Sequence, residues 1–268
     1  MSDTVSCMLV TRPHEERWPL VARSVACYAR QTYPHRELVV VLDAAPEQER
    51  ARFEARMSAL GLPDLRIIRA PGTPTLGRLR NLAIEHARGE LLCVWDDDDL
   101  HHPRRIEVQT AALRDSGAAA TFLTDVLHLV SATREVYWTT YKHTVQRCLP
   151  GTGLFHRSVA ARYPEVGPES ARTEDTAFCR RLFAEAQVHL VDSTPNLYVY
   201  VHHGSNTSGD AHHRMLVSEL ALSRGLVGRR SDVVRDALDH AELDTDELRV
   251  MGSNGEAFAW RRSGTEHV

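Results

Sequence analysis

Four short apolar runs alternate with helix-length stretches in the first 95 residues, and the fourth run passes directly into four consecutive aspartates. The runs are VSCMLV (5–10), ELVVVL (37–42), LRIIR (65–69) and LLCVW (91–95), with helical stretches at about 18–31, 47–60 and 76–88 between them. Such alternation predicts an α/β fold whose sheet is parallel and doubly wound, a Rossmann-like nucleotide-binding arrangement. ELVVVL alternates so little that both of its faces should be covered. Gly61 stands where a C′ glycine closes the second helix.

The pattern changes after Pro103. A helix should run to about Ser116 and a fifth strand over 119–126. One or two extended segments over 127–141 and a short strand over 151–156 follow. A helix from Thr173 and strands at 188–191 and 197–201 give a second half that is antiparallel or mixed. Two helical stretches, about 213–226 and 232–248, and a loose polar tail from Gly252 complete the expectation. The division expected is a main domain over 1–210, in two halves of about 1–126 and about 127–210, and a C-terminal helical extension and tail over 211–268.

A formal net charge of −4 leaves no general attraction for nucleic acid or an anionic membrane. The five cysteines are widely spaced and include no Cys-x-x-Cys pair, which argues against a disulfide framework and a zinc knuckle. No apolar run approaches the ~18 residues of a membrane span, so a cytoplasmic protein is expected. No Walker-type loop, Gly-x-Gly-x-x-Gly after the first strand or Gly-x-Ser-x-Gly elbow is present.

Asp96-Asp97-Asp98-Asp99 follow a buried-type strand at the sheet edge where a nucleotide's diphosphate would lie, and four adjacent carboxylates repel one another unless a cation sits among them. Asp43 ends the second strand at the same edge and can accept a hydrogen bond from a base or a ribose. Thr173-Glu174-Asp175 opens a helix: either Thr173 is an N-cap before two acids that suit the helix dipole, or Asp175 is a general base kept ionised there. His202 and His203 follow a strand, and an imidazole beside the carboxylates is a further metal ligand. With Asp210, His212 and His213 the same segment would otherwise make a separate zinc site. Tyr137, Trp138 and Tyr141 either stack on a sugar ring or belong to the core.

VSCMLVTRP, ELVVVLDAAP, LGRLRNLAIEHARGELLCVWDDDDLHHPRRI, PGTGLFHRS, TEDTAFCRRL and YVYVHHGSNTS occur in an order and spacing that resemble family 2 glycosyltransferases of the GT-A fold, over roughly residues 4–210. The resemblance implies that Thr11 and Asp43 hold the nucleotide base, with Arg12-Pro13 standing where the family has Tyr-Asn, so that Arg12 lies among the donor-binding residues. It makes Arg80 a nucleotide or diphosphate contact and matches the family's Asp-x-Asp-Asp run to Asp96, Asp98 and Asp99. Asp97 fills the variable place, and Asp96 and Asp97 count with the donor-binding residues. It makes Asp98 a metal ligand joined by His203, and in the pair Glu174-Asp175 it makes Asp175 the general base.

The implied reaction is metal-dependent, using Mn²⁺ or Mg²⁺. It would move a sugar from a nucleotide-diphosphate sugar, foremost a UDP-sugar, to a hydroxyl of a glycan, lipid carrier, peptide or small metabolite, with inversion. Two alternatives are a sugar-phosphate nucleotidyltransferase, whose Gly-rich loop after the first strand is missing here, and a non-catalytic nucleotide- or glycan-binding relative, against which the acids at 98 and 175 speak.

Overall fold

The computed structural model describes residues 3–262. The first half follows the expected alternation: β1 (Val5–Thr11), α1 (Trp18–Ala29), β2 (Arg36–Leu42), α2 (Glu47–Ala59), β3 (Leu65–Arg69), α3 (Leu76–His86) and β4 (Leu91–Val94). Next come β5 (Leu100–His101), α4 (Arg105–Ser116), β6 (Ala120–Leu123), β7 (Asp125–Val130), β8 (Glu135–Thr140), β9 (Leu154–His156), α5 (Glu174–Glu185), β10 (Val188–Val191) and β11 (Tyr198–His202). The chain then forms α6 (Asp210–Leu220), α7 (Arg224–Arg229), α8 (Ser231–His240), β12 (Glu247–Gly252) and β13 (Gly255–Arg261).

Seven strands make the main sheet in the order β10-β6-β9-β4-β1-β2-β3, and β9 alone among them runs against its neighbours β4 and β6. The low alternation of β2 has the cause inferred from sequence. Leu38, Val40 and Leu42 pack on one face with Val21 and Val25 of α1 and Phe53 and Met57 of α2. Val39 and Val41 pack on the other face with Leu79 and Leu82 of α3 and Phe178 and Leu182 of α5. Both layers need apolar side chains, so a period of two in hydropathy is erased although the side chains still alternate.

The run expected as one fifth strand is divided. β6 ends at Leu123 in the main sheet and β7 starts at Asp125 in a second sheet, ordered β13-β12-β8-β7-β11-β5. Trp138 and Tyr141 are buried, Trp138 donating its indole N–H to Asp125 at 3.1 Å, and both belong to the core. Tyr137 donates to Glu135.

The C-terminal expectation needs correction. The helix placed over 232–248 stops at His240, and the polar stretch after Gly252 is one arm of a β-hairpin, except for 263–268, which lie outside the described residues. Leu248 and Val250 point inward while Glu247 and Arg249 are exposed, and Trp260 is fully buried with its indole N–H on Asp239 at 2.8 Å. The hairpin extends the second sheet through β12 alongside β8. Among the described residues no helix is long and apolar enough to cross a membrane.

Candidate active site

The C-terminal ends of β1, β2 and β4 place the sequence-derived residues along one edge of the main sheet, where an open α/β sheet binds ligands. Asp43 donates its backbone N–H to Thr11 O at 2.9 Å, and its carboxylate meets Arg12 Nε at 3.0 Å. Thr11, Arg12 and Asp43 are therefore joined, with Thr11 buried and Arg12 open to solvent.

The four aspartates have four different environments. Asp96 accepts from Arg80 at 3.1 Å, and the same guanidinium donates to Glu174 at 3.1 Å. Asp97 is gripped by Arg17, which also reaches Asp98 Oδ2 at 2.8 Å. Asp98 meets His203 Nε2 at 3.0 Å. Asp99 is buried, accepting from the Tyr198 hydroxyl and from the Val201 N–H at 2.7 Å, so it fastens the run to β11. The repulsion expected among these acids is met by Arg17, Arg80 and His203 from three separate elements.

Electrostatics follow the partners. Burial pushes the Asp98 carboxyl up, but the His203 hydrogen bond and the Arg17 charge outweigh it and hold it below the ordinary range. Burial raises Asp97 despite Arg17, and it raises Asp99 strongly with help from the charges of Asp98 and Asp96.

At the start of α5 the two acids diverge. Glu174 is 2% exposed and paired with Arg80, whereas Asp175 is half-buried, accepts the Thr176 N–H at 2.5 Å and has no direct cation partner among the described residues. Burial raises both carboxyls, against the pull of Arg80. Thr173 occupies the N-cap position, but its hydroxyl makes no capping bond. The expectation that the helix start keeps Asp175 ionised is thus only part of the balance: desolvation is larger and moves it toward the range suited to a base.

The two adjacent histidines separate by strand alternation. His203 faces Asp98, and His202 faces Asp210 at 2.9 Å. His203 Nδ1 accepts the Ser205 N–H at 3.4 Å and lies 2.9 Å from the Ser205 hydroxyl, so the neutral ring carries its proton on Nε2 toward Asp98; a shift of that proton to Nδ1, donated to the Ser205 hydroxyl, frees Nε2 for a cation. Asp98 and His203 form a carboxylate and imidazole pair fit to hold a divalent cation.

Three contributors escaped the sequence reading. Arg17 precedes α1 and clamps two of the four aspartates. Tyr198 contacts Asp99 and lies 3.4 Å from Asp96. Arg105, fully buried, donates to Val94 O and Gly151 O and lies 4.9 Å from the Tyr198 ring centroid, tying the end of β4 to the turn at Gly151. Arg17 sits in the first turn after the first strand, at the same sheet edge as the aspartates, and that position was the available signal.

Comparison with known proteins agrees with this architecture. The sequence profile described as Glycosyl transferase family 2 matches residues 13–157, more than half of the chain. Residues 1–349 of TarS from S. aureus superpose with a TM-score of 0.60 at 15% identity, covering 88% of this chain and 71% of that one. TarS in complex with UDP gives 0.59, again at 15% identity, covering 90% and 67%. The mannosyltransferase PcManGT from Pyrobaculum calidifontis, in complex with GDP-Man and Mn²⁺, gives 0.56 at 14% identity, covering 88% and 63%. No curated protein sequence matches. The order of strands, the acid run at the sheet edge and the profile match over 13–157 together establish that the chain belongs to glycosyltransferase family 2 and is a glycosyltransferase of the GT-A fold.

Proposed function

We propose that this glycosyltransferase moves a sugar from a nucleotide-diphosphate sugar, foremost a UDP-sugar, to an acceptor hydroxyl with inversion at the anomeric carbon. The observation that carries the reading is Arg80, whose guanidinium spans Asp96 and Glu174 and so unites the acid run after β4 with the acid pair that opens α5. The TarS complexes with UDP and UDP-GlcNAc support a UDP-sugar donor.

Thr11, Arg12 and Asp43 would hold the base, Asp43 accepting from it and Arg12 donating. Arg80 supplies positive charge toward the diphosphate, with Asp96 and Asp97 fixing Arg80 and Arg17 in place. A Mn²⁺ or Mg²⁺ ion held by Asp98 and His203 would neutralise the charge that develops on the leaving diphosphate. Glu174 positions Arg80. Asp175 takes the proton from the acceptor hydroxyl as that oxygen attacks the anomeric carbon opposite the leaving group, a single displacement that inverts configuration. The acceptor would be bound by the half over about 127–210. The five cysteines are all free and buried, which fits a reducing cytoplasm.

The test is product analysis with a panel of nucleotide sugars. The expected result is nucleoside diphosphate released in the presence of Mn²⁺ and withheld by chelator. Release that ignores chelator would remove the metal from the scheme, and pyrophosphate as the product would replace glycosyl transfer with nucleotidyl transfer.

A further inference from the structure

Where α8 packs on the turn before β11, three residues that the proposed reaction does not use converge. His102 follows β5, and Asp236 and His240 lie one helical turn apart on α8. Each offers one ligand atom, and the three atoms all lie within 4.8 Å of one another. His102 Nε2 is 3.4 Å from Asp236 Oδ2, and His240 Nδ1 is 3.3 Å from Asp236 Oδ1. His102 is 7% exposed, and its Nε2 has no hydrogen-bond partner. A buried polar atom aimed at a carboxylate without closing a bond to it calls for an explanation.

We propose that His102, Asp236 and His240 form a second metal site, for a transition-metal dication of the Zn²⁺ class, that staples α8 to the segment following the four aspartates. Two imidazoles and one carboxylate are the protein ligands of zinc sites that keep a fourth position for water, whereas Mg²⁺ and Ca²⁺ favour all-oxygen sets. The spacing of Asp236 and His240 places two ligands on one face of a helix. Asn196 donates its amide to Asp236 Oδ2 at 2.8 Å and orients the carboxylate, a supporting contact common around metal ligands.

Two features oppose the site. His240 Nδ1 lies 2.8 Å from Asp236 O, a carbonyl that only accepts, so this nitrogen carries the ring's proton. His102 Nδ1 accepts the Arg104 N–H at 3.1 Å, which leaves the neutral ring's proton on Nε2. Metal capture moves the His102 proton to Nδ1 with loss of the Arg104 bond and, with Nδ1 of His240 as the ligand atom, moves that ring's proton to Nε2 with loss of the Asp236 carbonyl bond. Forfeiting these two neutral hydrogen bonds weakens affinity by up to about a hundredfold.

The site shares no residue with the Asp98 cluster, so it is tested in an Asp98→Asn background that removes the other candidate ion. Chelator-stripped protein is titrated with ZnCl₂ by calorimetry and by melting, and with Co²⁺ by visible absorption. One equivalent of Zn²⁺ should bind, Tm should rise by about 5 °C at a hundredfold excess over Kd, and Co²⁺ should give four-coordinate ligand-field bands. His240→Ala and Asp236→Asn, at partly exposed positions whose truncation leaves the core intact, should each weaken Zn²⁺ by at least about tenfold and at least halve the shift at the same Zn²⁺ concentration. Undiminished binding in both variants, or no stoichiometric binding by the parent, overturns the proposal. Loss of glycosyl transfer would leave it standing.

Discussion

Arg17 sets the charge balance of the aspartate run. It clamps Asp97 and reaches Asp98 with its side chain 24% exposed, so removing it leaves partly desolvated carboxylates without their cation. Arg17→Gln should lower stability by about 1–3 kcal/mol in metal-free buffer, measured by urea melting. The pH dependence has a defined sign. Asp98 is held below its ordinary value of 3.8, so its contribution is present above that value and fades as pH falls through the folded-state value. Arg17 also holds down Asp97, whose carboxyl burial keeps above its ordinary value, so the gap between wild type and Arg17→Gln should be full only above the pH at which Asp97 titrates and should narrow as pH falls through the folded-state values of Asp97 and then Asp98; a gap that widens on acidification contradicts this assignment. The histidine pair gives a second test at this scale. His203→Ala should weaken Mn²⁺-dependent nucleotide binding by about tenfold or more, whereas His202→Ala, which loses the Asp210 contact, should be nearly silent in the same titration. Equal effects would show that the strand's alternation does not separate their roles.

At the scale of elements, the turn at Gly151 holds the acid run in place. A Cβ on Gly151 would lie 2.5 Å from Asp96 Oδ2 and 2.9 Å from the Tyr198 hydroxyl, closer than real contacts allow. Gly151→Ala should therefore displace Asp96 from Arg80, costing about 1–3 kcal/mol of stability and at least about tenfold in donor affinity by thermal melting and nucleotide titration. An unperturbed donor Kd would show that the turn is not part of the site. The same elements show what a sequence discloses. β2 was legible because burial on both faces leaves a continuous apolar run. Asp43 and Asp98 were legible because a strand's end fixes where the next side chain must go. β12 and β13 were not, because LRVMG and EAFAWR interleave charged and apolar residues and their period of two was lost in a polar stretch. Asn254-Gly255 carried the missed signal: a dipeptide favoured in tight hairpins, with Gly255 at φ 121°. Arg17 and Tyr198 escaped for another reason, since their roles depend on which elements meet in space and local periodicity does not encode that.

Across the whole molecule, the second half of the chain and the main sheet meet through side chains of opposite charge. Arg80 from α3 joins Asp96 after β4 to Glu174 on α5, and His203 after β11 closes on Asp98. Such an arrangement leaves Asp175 as the half-buried carboxylate of its pair without a direct cation partner among the described residues, its pKa raised by burial. A base works when deprotonated, so the acid limb of the transfer rate should lie above the ordinary Asp value of 3.8 and disappear when Asp175 is replaced. The most direct measurement compares wild type with Asp175→Asn for donor affinity by nucleotide titration and for sugar transfer by product formation. The expected result is unchanged donor and Mn²⁺ affinity with transfer reduced by about two to four orders of magnitude. Near-normal transfer by Asp175→Asn would contradict the account and return Glu174-Asp175 to the role of a helix start.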